Sequence, residues 1–159
     1  MAFGLRRPFH PKGSDRFIVN LGQRERQVLR AVCEDLLGAL DEPEAQPLLR
    51  RVYPVAHVDD AEIDRAYQEM VHSDLVSSRR TALERIIATV EEDEINRETL
   101  DTWMIGLNTV RLVLGTRLDV DEGPQPALEP DDPDLVAMAV YEFLGGIIET
   151  IVRSLTSTL

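Results

Sequence analysis

Apolar residues recur at intervals of three and four along most of this chain, and that rhythm predicts helices. Val28, Leu29, Val32, Leu36, Leu37 and Leu40 form one such face. Asn20 and Gln23 stand before it in capping-box spacing, and Asp41-Glu42-Pro43 closes it. A short helical turn is expected over 45–51. Asp59 and Glu62 then open a helix with Ile63, Tyr67 and Met70 on one face. Ser73 restarts it as a second helix running through Leu83, Ile86, Ile87 and Val90. The acids Glu91 to Glu94 would then sit at a helix C-terminus, where the dipole disfavours anions, so fraying is expected there. Asn96 caps a further helix to Leu114, with Gly115 as its stop signal. Asp132 and Pro133 begin a final one that reaches about Ser157.

The first twenty residues break this rhythm. Phe3–Arg7 and Arg16–Asn20 read as short strands of a hairpin, with Pro8, Pro11 and Gly13 as turn material and Arg117–Val120 as the candidate third strand. Residues 119–134 hold four prolines and seven acids and read as a loop. The expected fold is mainly α, with about five helices around a central C-terminal helix and a small N-terminal hairpin. It forms one domain over 1–159, with a basic segment at 1–20 and an acidic proline-rich loop at 119–134.

The final helix is apolar around most of its circumference, with Glu142, Glu149 and Arg153 confined to one stripe and Gly145 and Gly146 at its edges. Such a helix is the centre of a fold or part of a homodimer contact. Close approach of another backbone would account for the two glycines.

Two ions lie among apolar positions. Glu25 falls on the arc of Val28, Leu29, Val32 and Leu36. Arg111 falls within about 60° of Leu107 and Leu114, in a face that also holds Leu100, Trp103 and Val110. A lone buried ion costs several kcal/mol. Glu25 and Arg111 are therefore expected to meet as a buried pair, with Asn108 one turn away as a further hydrogen-bonding group. Arg79 lies near a helix start, so its charge can reach outward while its stem stays half-buried.

Composition narrows the function without naming it. At 43% hydrophobic and 29% charged over 159 residues, the chain suits one globular domain. Glu142, Glu149 and Arg153 argue against a membrane span in the last helix, and the N-terminus lacks a secretory apolar core. Cys33 is alone and lies on an apolar helix face, so the expected compartment is the cytoplasm. The net charge of −12 is uneven: residues 1–30 carry +5 and the remainder −17. An acidic body repels nucleic acid, which leaves Arg6, Arg7, Lys12 and Arg16 as the candidate DNA contacts. No cofactor and no metal site is expected. Glu69-x-x-His72 has no second copy, and Pro124 and Pro130 spoil a calcium-loop reading of Asp119-x-Asp121-x-Gly123. No phosphate loop or nucleophile elbow is present, so the chain is expected not to be an enzyme.

Residues Trp103–Asp119 read W-M-I-G-L-N-T-V-R-L-V-L-G-T-R-L-D. This string resembles the signature of the AosR-like oxidative stress regulators, a bacterial domain-of-unknown-function family. Agreement extends to Glu25, the Tyr53-Pro54 loop, Asp59-Asp60, Leu75, Arg79 and the acidic linker. The resemblance implies a non-enzymatic transcriptional regulator linked to oxidative stress, acting through a protein partner such as an RNA polymerase sigma factor. It marks Trp103, Asn108, Arg111 and Arg117 as signature residues. A family thiol switch closed within one chain would need two cysteines, and here only Cys33 is a redox candidate. The competing reading is a helical adaptor that binds a protein or peptide and makes no DNA contact.

Overall fold

A computed structural model describes residues 7–40, 76–120 and 128–159. A three-stranded antiparallel sheet comes first in the chain. Strands β1 (Phe9–Lys12) and β2 (Arg16–Val19) pair with Phe9 opposite Val19 and Lys12 opposite Arg16. The turn between them uses Gly13 at a φ of 77°, a left-handed conformation open to glycine at little cost. The hairpin is present, but its first strand lies downstream of the expected Phe3–Arg7. Phe9 and Phe17 point into the core and are fully covered, which fixes the register.

Helix α1 (Gln23–Ala39) follows, then α2 (76–89), the third strand β3 (Glu94–Asn96), α3 (Arg97–Arg117) and α4 (Leu135–Thr156). The described residues thus hold four helices where about five are expected. The helical turn over 45–51 and the helix opened at Asp59 lie outside them, as does Arg6. The third strand is not Arg117–Val120. It is Glu94–Asn96, with Phe17 opposite Ile95. The helix before the acids stops at 89 and Glu91 to Asp93 are exposed, but Glu94 departs from the expectation: it is held by cations across the sheet, and Ile95 beside it is buried.

Among the described elements, α3 rather than the C-terminal helix has the most neighbours. Asn96 caps it, its side-chain oxygen accepting from Thr99 N at 2.8 Å, and Gly115 lies inside its last turns instead of ending it. Its buried residues, from Thr99 and Leu100 through Trp103, Leu107 and Val110 to Thr116, face several neighbours at once. It touches α1, α4, β2 and β3. Toward α2 the contact is closest at Gly106, where an added Cβ would stand 2.5 Å from Ile86 Cδ1.

Helix α4 packs along α3 and against β1 with Phe143, Leu144, Ile147, Ile151 and Leu155. Its first turns continue past the core, leaving Leu135 40% and Val136 74% exposed. With 22 residues and a mean hydropathy of 1.8, it is long and apolar enough to cross a membrane by length and composition. Ser154 Oγ donates to Phe9 O at 2.8 Å, joining the last helix to the first strand.

Candidate functional site

The signature residues share one helix but not one site. Trp103 is wholly buried, its ring edge-on to Phe9 at 5.9 Å between centroids. Its indole N–H donates to Thr89 Oγ1 at 2.7 Å, and that hydroxyl donates on to Arg85 O. A buried tryptophan satisfied in this way is a packing residue. Asn108 is exposed and so is Arg117.

Glu25 and Arg111 do not meet. Glu25 sits in the first turn of α1, and its Oε1 accepts from Gly22 N at 2.8 Å, capping the helix. A carboxylate there gains from the N-terminal dipole and needs no arginine. Arg111 lies over the ring of Tyr141 at 4.5 Å, and Asn108 takes no part. Its Nε is buried with no hydrogen-bond partner among the described residues, as is the Nε of half-buried Arg79. Gly145 makes room for Arg111, since a Cβ there would stand 3.2 Å from Nε. The glycine therefore admits a guanidinium, where another backbone was expected.

The buried cation that does organise this end of the molecule is Arg26, which helical-face reasoning overlooked. Only 5% of it is exposed. Nε donates to Leu21 O, Nη1 to Val90 O and Glu92 O, and Nη2 to Val19 O and Asp93 Oδ1, at 2.9–3.2 Å. All five donors of the guanidinium are thus used. Four of the five acceptors are backbone carbonyls drawn from β2, the link between β2 and α1, and the segment between α2 and β3. A signal for it was present: Arg26 stands three and seven residues before Leu29 and Cys33, the spacing of the buried stripe.

The basic hairpin is less available than its charge suggests. Lys12 Nζ and Arg16 Nε flank the Glu94 carboxylate at 3.3 and 3.1 Å. Arg16 first, and then Lys12, hold that carboxyl below its ordinary range. Arg7 is exposed beside a cleft of about 180 Å³ that it shares with Arg153, which itself pairs with Glu149. Cys33 is wholly covered, and burial, helped by Glu34, pushes its thiol up to about 12. Thiolate is the oxidant-reactive form, so this environment suppresses reactivity. Among the described residues no group of His, Cys, Asp and Glu is placed to hold a metal.

An apolar groove lies between α1 and α3. Val32, Leu36 and Ala39 face Val110, Val113 and Leu114 across a groove of about 170 Å³, with Asp35 and Arg117 at its rims. Both rim charges are exposed. An apolar floor between opposite charges suits an amphipathic segment rather than a polar metabolite.

Residues 6–155 match the profile of the family described as domain of unknown function DUF2017. A protein of Mycobacterium leprae (strain TN), provisionally named oxidative stress regulator AosR, is 26% identical over 138 residues. The alignment covers 76% of this chain and 63% of that protein, so the chain spans somewhat less than two thirds of its relative. No solved structure matches the chain.

Proposed function

Because the chain belongs to the domain-of-unknown-function family DUF2017, we propose that it is a non-enzymatic regulator, linked to oxidative stress and acting through a protein partner in the cytoplasm. The observation that carries this reading is the likeness to the M. leprae protein over three quarters of the chain. A transcription-linked partner such as an RNA polymerase sigma factor is the one the resemblance favours. Sensing by Cys33 has no support from its surroundings, so the oxidative signal reaches this protein through the partner.

A second reading has its own observation. Glu94 occupies Lys12 and Arg16, two of the four candidate DNA contacts, which favours an adaptor that never touches DNA. The two readings separate in one set of measurements. The immobilised full chain is presented with each purified sigma factor, and its affinity for duplex DNA is measured against salt. Selective retention of one sigma factor supports the regulator. Retention of none, with no DNA binding at low salt, refutes it and leaves the adaptor. If the hairpin does meet phosphate, Glu94→Gln frees two cations and steepens the fall of affinity with salt.

A further inference from the structure

We propose that a second copy of this chain occupies the α1–α3 groove, inserting the exposed start of α4, so that two copies close into a symmetric dimer. The groove and the inserted element are separate observations on one molecule. At about 100° per residue, Val136 lies within about 20° of Phe143 and Ile147, on the stripe that α4 turns toward the core. Phe143 and Ile147 are buried, yet Val136 is 74% exposed and Leu135 is 40% exposed. The helix therefore carries its core-facing stripe beyond the core, and two aliphatic side chains are left in water.

The groove has the size and chemistry to receive them. Its volume is about 170 Å³, and a cavity of roughly 150 Å³ is known to accept a benzene-sized group. Leu36 and Ala39 on one wall and Val113 and Leu114 on the other are aliphatic, matching Leu135 and Val136. Charge selects the direction. Glu129, Asp131 and Asp134, all exposed, precede or adjoin the inserted residues, and exposed Arg117 waits on the α3 rim. Asp35 on the opposite rim repels the same acids and so excludes the reversed orientation. Each chain carries both halves of the contact, so a two-fold axis makes it twice and leaves neither half open. The buried patch is small, which sets a weak, concentration-dependent dimer.

This inference does not rest on the regulatory reading, and it is tested on the full chain alone. Sedimentation velocity from about 1 µM to about 1 mM is expected to show a monomer–dimer equilibrium. Val136→Glu, at a position too exposed to disturb folding, is expected to weaken it at least about tenfold. Arg117→Glu is expected to weaken it as well, and Arg117→Glu with Asp134→Arg to restore it. Circular dichroism melting checks that each variant is folded. A protein that stays monomeric throughout the range overturns the proposal. So does a dimer indifferent to Val136→Glu, or a charge swap no better than Arg117→Glu alone.

Discussion

Replacing Arg26 by alanine tests whether one side chain holds the sheet to the helices. The guanidinium is 5% exposed and gives all five of its hydrogens to the protein. A hydrogen bond with a charged donor contributes about 1.5–3 kcal/mol. Four such bonds go to carbonyls, but those near the surface can recover water once the side chain is gone. The net loss is therefore set at about 3–5 kcal/mol, the range found when a buried charge network is broken. Against a total stability of about 5–15 kcal/mol, that is a large fraction. The bond to Asp93 adds little, because the Asp93 side chain is 91% exposed and an ion pair so open to water is worth at most about 1 kcal/mol. Urea unfolding of the full chain therefore separates the two roles. Arg26→Ala should cost about 3–5 kcal/mol, Asp93→Ala less than about 1 kcal/mol, and Arg26→Lys should fall between, since an ammonium has three donors and no fork. If the two alanine variants lose equal stability, or Arg26→Ala loses less than about 1 kcal/mol, the carbonyl cage is not what holds this region together.

Three further outcomes follow from the packing. Gly106→Ala gains about 1 kcal/mol of helix propensity but drives a methyl into Ile86, with overpacking costing about 1–3 kcal/mol. Denaturant midpoints should show a net loss that Ile86→Val largely relieves, and purely additive effects would refute the contact. Arg111→Met gives up a stack on Tyr141 worth about 0.5–1 kcal/mol and relieves a buried unpartnered Nε. Its stability should stay within about 1 kcal/mol of wild type, whereas a loss above about 3 kcal/mol would revive a buried ion pair. The Cys33 thiol rises from 9.0 to about 12 on folding, so the unfolded chain ionises first. Its contribution to stability is complete below pH 9.0 and declines as pH climbs toward 12. Labelling of the native protein by a disulfide reagent near pH 8 should be no faster than unfolding, and a rapid burst would show that the thiol is accessible.

Periodicity located α1, α3 and α4 because each buries a stripe long enough to repeat several times. It could not locate β3, whose three residues carry one buried side chain, Ile95, inside a run of acids. The hairpin was legible from its turn residues, yet its first strand was set too early, since Pro8 and Pro11 looked like breakers. Pro11 is in fact a strand residue, exposed on the outer strand of the sheet, where a missing N–H costs nothing. Wheel angles singled out Glu25 and Arg111 as charges on apolar arcs. They said nothing about how far each side chain reaches, so a capping acid and a stacked arginine were read as partners. The conspicuous residues of the resemblance serve packing, capping and surface, and the groove emerges only when α1 and α3 are set side by side.

The bond between Ser154 and Phe9 spans 145 positions. Synthesis runs from N- to C-terminus, so β1 is made before the helices it packs against and must wait for α4. Until α4 leaves the exit tunnel, the hairpin lacks the final helix that packs against β1, and Phe9 can rest only on Trp103 of the earlier α3. Folding of this unit is then postponed until α4 has been made. Nascent chains stalled before Leu135 should accordingly be prey for chaperones and proteases, while those that have cleared the last turn escape both.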